Sequence, residues 1–195
     1  MGVISRREFA SLCSGTMAMA GLFGAFPGTV RASSLLAAED AADDPTALSL
    51  TEAAARVRKG SVTATQLTQS LLARIAIYNP KIDAYITIMS DEALKQAAQL
   101  DEEAKAGKFR GPLHGIPIAL KDNIDTAGVR TTAASPMFKT RVPTEDAEVV
   151  TKLKAAGAVI LGKLNLHEFA LGCTGDVSYF GPARNPWSLD HVTGG

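Results

Sequence analysis

Gly115-Ile116-Pro117-Ile118-Ala119-Leu120-Lys121-Asp122-Asn123 is an apolar run that stops abruptly at three polar residues. A strand covered on both faces carries apolar side chains continuously, so this run predicts a buried strand, and its charged end marks where the chain leaves the sheet. Residues 158–162, Ala-Val-Ile-Leu-Gly, repeat the pattern, and residues 84–89 form a shorter β-prone stretch. Helical signals lie between them. Ser49 with Glu52, and Thr63 with Gln66, have the spacing of capping boxes. The first opens a helix that stops at Gly60; the second opens one whose Leu67, Leu71, Ile75 and Tyr78 share a face until Asn79-Pro80 ends it. Residues 90–106 predict a helix closed by Gly107, and residues 144–156 another with Val149, Val150 and Leu153 inward. Asn165 and Glu168 are spaced to cap one further helical stretch ending near Gly172. Helices alternating with short continuous apolar strands argue for an α/β layered fold. No internal repeat is visible.

The composition fits a globular chain of one domain's length: 195 residues, 46% hydrophobic and 21% charged. Twenty basic side chains balance 20 acidic ones without a basic stripe, which gives no electrostatic reason to expect nucleic acid as a partner. Cys13 and Cys173 allow at most one bridge, so this is not a disulfide scaffold.

The first 32 residues read as an address. Arg6-Arg7 precede an apolar middle of about 15 residues, shorter than the roughly 18 that read as a spanning helix, and Val30-Arg31-Ala32 supplies a small-residue exit. These are the parts of an export signal of the twin-arginine kind, so the expected partner is the twin-arginine machinery, with membrane contact only during export and a periplasmic or secreted destination. A retained interfacial helix or an uncleaved tether is the alternative. Cleavage would remove Arg6, Arg7, Arg31 and Glu8 and leave a small acidic excess, about −2. Residues 33–48, rich in Ala, Ser and Asp with Pro45, read as a flexible lead-in, and residues 49–195 as the domain.

Lys121 is the first charged residue after its strand, at the crevice edge where α/β proteins place ligands. An ammonium held against apolar walls loses hydration, which favours the neutral amine and makes it usable as a base. A solvated surface lysine is the plainer reading of that position alone.

The words around it are more specific. Pro112-Leu113-His114 runs into the strand and Lys121-Asp122-Asn123-Ile124-Asp125, followed by Gly128-Val129-Arg130-Thr131-Thr132. In order come Val142-Pro143-Thr144-Glu145-Asp146-Ala147, residues 156–165 with Gly162-Lys163-Leu164-Asn165, Glu168-Phe169-Ala170, and Gly181-Pro182 with Asn185-Pro186-Trp187. Together these blocks, over residues 48–195, resemble the amidase signature family. The resemblance implies a mixed β-sheet core covered by helices on both faces, incomplete in this chain. It also implies a cofactor-free hydrolase of a small-molecule carboxylic amide with a nucleophilic serine, a bridging serine on a cis peptide, and a lysine. Of these three, only Lys121 maps onto this sequence. In the family the Asn-Pro-Trp block leads to the serine-bearing Gly-Gly-Ser-Ser-Gly-Gly-Ser stretch, and this sequence reaches only Thr193-Gly194-Gly195. The expectation is therefore the N-terminal part of a longer amidase, inactive and poorly folded alone, with unpaired sheet edges. A non-catalytic relic is the alternative, and a subunit of a tRNA-dependent amidotransferase shares the motifs but not the export signal.

By the same resemblance Gly172-Cys173-Thr174 lines the substrate crevice, although a tight turn leaving a helix accounts for these residues equally well. Cys173 with Lys121 and a glutamate also suggests the machinery of nitrilase-like amidases, which no other block supports; a lone cysteine more often packs as a small apolar residue. His114, His167 and His191 form no metal motif, and Gly162-Lys163 lacks the glycines and the following Ser or Thr of a phosphate loop. Asp122 and Asn123 either orient the loop carrying Lys121 or simply make its turn.

Overall fold

Ser49 begins the first helix: its hydroxyl accepts the Glu52 N–H while the Glu52 carboxylate accepts the Ser49 N–H, and Leu50–Lys59 (α1) turns out at Gly60 with a left-handed φ of 75°. Thr63 and Gln66 repeat the arrangement at the head of Ala64–Ile82 (α2). This computed structural model describes residues 44–194; the arginine pair, the apolar middle, the cleavage pattern and residues 33–43 lie outside the described residues. Regular structure begins within the last residues of the expected lead-in. Asp44 caps a single 3-10 turn, Pro45–Ala47, and Arg74 of α2 donates to the Thr46 hydroxyl at 3.1 Å.

Pro80 does not end α2 as expected. The helix runs on to Ile82 and closes where Asp83 N–H donates to the Asn79 carbonyl at 2.9 Å. The Asn79 side chain then clasps Tyr85, accepting its N–H at 2.7 Å and donating to its carbonyl at 3.2 Å, and so sets the start of Tyr85–Ile88 (β1). Ser90–Lys105 (α3) follows, and its Asp101 carboxylate accepts the N–H groups of Ala64 and Thr65 at 2.7 and 3.1 Å, at the positive end of α2.

Pro117–Lys121 (β2) and Val159–Leu164 (β3) are parallel, and β1 is antiparallel to β3, giving a three-stranded mixed sheet in the order β1-β3-β2. Alternation along β3 divides the core. Val159 and Leu161 face Ala64, Ala93, Ala97 and Leu100 of α2 and α3, whereas Ile160 faces Met89, Leu120 and Val150. Val150 belongs to Glu148–Ala155 (α4), so helices cover both faces as expected. Gly162 in β3 has no side chain because a Cβ there would overlap the Thr87 carbonyl oxygen of β1.

Two expected helical segments are cut back. α4 starts at Glu148 because the preceding stretch is bonded elsewhere: Asp146 takes the Ala127 N–H at 2.8 Å and the Lys154 ammonium, and Ala147 N–H donates to the Asp125 carbonyl. Val149, expected inward, is 47% exposed. After β3 there is only a 3-10 turn, Glu168–Ala170, with φ of 54° and 58° at Phe169 and Ala170. Asn165 does not cap it; its amide donates to the carbonyls of Asp83 and Gly181, both at 2.9 Å. No helix among the described residues is long and apolar enough to cross a membrane.

Candidate active site

Lys121 is the last residue of β2, paired with Leu164, and the chain leaves the sheet directly behind it. Its side chain is exposed, and the described residues do not form the dry walls expected around it. The backbone beneath it is firmly held. Asp122 N–H donates to the Leu164 carbonyl at 2.9 Å, extending the ladder by one bond, and Ile124 N–H closes a turn on the Lys121 carbonyl at 3.0 Å.

Asp122 turns inward and is fully buried. One carboxylate oxygen accepts both the N–H (2.9 Å) and the hydroxyl of Thr132, and its carbonyl accepts Ala133 N–H at 3.0 Å. Asp122 thus does more than form a turn: it ties the start of the loop to its end, ten residues on. The loop closes through two consecutive left-handed alanines, Ala133 and Ala134, with φ of 51° and 56°. Such geometry costs roughly 1–2 kcal/mol per non-glycine residue and persists where neighbouring bonds over-determine it.

Gly172 and Cys173 are exposed and Thr174 half-buried. Gly172 lies against the His167 ring so closely that a Cβ there would overlap it, and the Thr174 hydroxyl is 3.3 Å from His167 Nδ1. Ala133 joins this loop to Lys121: its N–H is bound by Asp122 and its carbonyl accepts Phe169 N–H at 2.9 Å, while Tyr179 N–H binds the Ala134 carbonyl. The remaining histidines make local contacts within the chain. His114 is buried with Nδ1 accepting Arg110 N–H at 3.1 Å and Nε2 3.0 Å from the Leu100 carbonyl, and His191 meets Ser188. The described residues contain no group of three or more metal-ligating side chains.

Lys163 stands out only in the folded chain. It is wholly buried in β3, with its ammonium donating to the Ile124 carbonyl, the Thr131 hydroxyl (2.8 Å) and the Thr126 hydroxyl (3.3 Å). Asp122 Oδ1 lies 3.9 Å away. Burial pushes the Lys163 pKa down, and Arg141 adds to this, against the opposing charges of Asp122 and Asp125. Asp125 is in turn held below the usual carboxylate range by the Arg141 guanidinium, which grips both its oxygens at 2.7 and 2.6 Å. The signal available in the sequence was a lysine inside Val-Ile-Leu-Gly-Lys-Leu, with three threonines, at 126, 131 and 132, in the loop opposite.

The sequence profile described as Amidase matches residues 66–195. The chain belongs to the amidase signature family. It is 44% identical over 148 residues to a glutamyl-tRNA(Gln) amidotransferase subunit from Carboxydothermus hydrogenoformans, covering 76% of this chain and 30% of that protein. With the corresponding protein of Geobacter metallireducens it shares 48% over 140 residues, 72% of this chain and 29% of that one. Among solved amidases, native peptide amidase from Stenotrophomonas maltophilia matches with a TM-score of 0.70 and 39% identity over 76% of this chain and 32% of its own. Fatty acid amide hydrolase matches with a TM-score of 0.73 at 25% identity, over 78% of this chain and 28% of its own. The chain therefore spans about 30% of the length of the curated relatives it matches. The mixed sheet with helices on both faces is that of the amidase signature fold.

Proposed function

We propose that the polypeptide to which these residues belong hydrolyses the C–N bond of a carboxylic amide through a Ser–cis-Ser–Lys triad in which Lys121 is the base. The observation that carries this is the contrast at the end of β2: the Lys121 side chain reaches out of the sheet, while the peptide units behind it are anchored by buried bonds to Leu164, Thr132 and Ala133. A catalytic group needs that combination of a free head and a fixed stem. The nucleophilic serine attacks the amide carbonyl, and its proton passes through the bridging serine hydroxyl to the Lys121 amine. The tetrahedral oxyanion collapses with expulsion of ammonia or an amine, which takes the proton back, and water then releases the acid from the acyl-enzyme. Gly172, Cys173 and Thr174 are proposed as one wall of the amide site, linked to Lys121 through Ala133.

The test uses the whole polypeptide as its gene encodes it, assayed for ammonia or amine release from aliphatic, aryl and peptide amides. Lys121→Ala should lower kcat/KM by about a thousandfold or more. Near-normal turnover in that variant, or no hydrolysis by the wild type, overturns the proposal. A second reading, favoured by the 44% and 48% identities above, is a component of an amidotransferase that works on glutamyl-tRNA(Gln). Hydrolysis of simple amides by the isolated protein supports the first reading; activity only with glutamyl-tRNA(Gln) present supports the second. Export by a twin-arginine signal remains part of the proposal. A reporter fused to residues 1–32 should reach the periplasm and stay inside when Arg6 and Arg7 are both replaced by Lys.

A further inference from the structure

Lys163 stands where an ammonium is least at home, wholly buried in the middle strand of the sheet. All three of its hydrogen-bond acceptors, Ile124, Thr126 and Thr131, come from the one loop that follows Lys121. Three N–H donors meet three oxygens, which satisfies the group as a lysine is best satisfied. Asp122 completes the arrangement. Its Oδ2 holds Thr132, and its Oδ1, which has no hydrogen-bond partner among the described residues, lies 3.9 Å from the ammonium. The loop is thus pinned at its start by Asp122, through its middle by Lys163, and at its end by Thr132 and Ala133.

A role in packing alone does not explain this choice. An apolar side chain of similar length would fill the site without removing a charge from water, and buried pairs are often replaceable in that way. What an apolar side chain lacks is three directed bonds to one loop.

We infer that Lys163 is a positioning residue for Lys121: from inside β3 it fixes the loop from Asp122 to Thr131, and so the location of the base at the end of β2. This rests on the proposed role of Lys121. The charged groups around the ammonium are Asp122 and Asp125 from the loop and Arg141, paired with Asp125. Residue 163 touches no reacting atom in this scheme; it acts through the loop.

The experiment compares Lys163→Met with wild type in the whole polypeptide, with rates expressed per folded active site. Expected is a fall in kcat of about 100-fold with KM within about threefold, the signature of a displaced catalytic group. The Thr132 and Ala133 amides, both bound by Asp122, should exchange with solvent at least about tenfold faster. Unchanged kcat per folded site, or unchanged exchange, overturns the inference. If Lys163→Met does not fold, Thr131→Val removes one acceptor and should give a milder fall in kcat, about fivefold, with KM unmoved; an equal rate overturns the inference there too. Lys121→Ala in the same assay separates the two ideas. Normal turnover in that variant refutes the base, whereas an inactive Lys121→Ala beside a fully active Lys163→Met refutes the positioning residue alone.

Discussion

The parallel strands β2 and β3 each carry a lysine close to their C-terminal end, one rung apart on the ladder: Lys121 opposite Leu164, and Lys163 opposite Leu120. Strand alternation sends neighbouring side chains to opposite faces, and the two environments diverge completely. Lys121 is exposed; Lys163 is buried among the oxygens of the loop that Lys121 begins. The same residue type, nearly the same height in the sheet, yields one group open to solvent and one enclosed by a loop of its own chain. The comparison also divides labour: reactivity needs a free end, and precision needs a buried anchor.

The largest expected difference lies in activity. Lys121→Met should remove at least about 99.9% of amide hydrolysis while changing stability by no more than about 0.5 kcal/mol, as for an exposed side chain away from special features. A large loss of stability in that variant would erase the contrast. Lys163→Met should, besides its effect on kcat, be costly in denaturant titrations, losing about 1–3 kcal/mol because the Ile124 carbonyl and the Thr126 and Thr131 hydroxyls stay buried without their donor.

The same pair predicts a pH dependence. The folded Lys163 pKa lies below its ordinary 10.5, chiefly because of burial. The unfolded chain then binds the proton more strongly, so this group adds stability as pH rises toward 10.5 and withdraws it as pH falls through the folded value. Urea midpoints compared at about pH 7 and pH 10 should show that increment in wild type and not in Lys163→Met. A smaller effect is expected at Gly162, beside Lys163. Gly162→Ala forces its Cβ into the Thr87 carbonyl of β1 and should cost about 1–3 kcal/mol. Smallest is Asp125→Asn, which breaks a surface pair with Arg141 and should cost less than about 1 kcal/mol. Its contribution is present above the ordinary carboxylate pKa of 3.8 and lost as pH falls through the lowered folded value.

The elements legible in the sequence were those written in local chemistry. The capping boxes at Ser49 and Thr63, the apolar runs of β2 and β3, and Gly107 as a stop all depend on neighbours within one turn or one strand. The two cut-back helical segments share one cause, which is a partner distant in sequence. Asp146 is drawn away from a helix by Ala127, and Asn165 is drawn from a cap by Asp83 and Gly181. Of the candidate site, Lys121 was legible through ordered motif blocks. Lys163 was not, because its acceptors lie 32 to 39 residues away and only folding brings them together.

Asp101 holds the head of α2 from the last turns of α3, and this makes the length of α3 a fixed quantity. One residue inserted between Ser90 and Asp101 would swing the carboxylate about 100° around the helix axis and leave two amide protons at the start of α2 facing nothing. Added length in α3 is therefore accommodated beyond Asp101, toward Gly107, where the chain is already turning back.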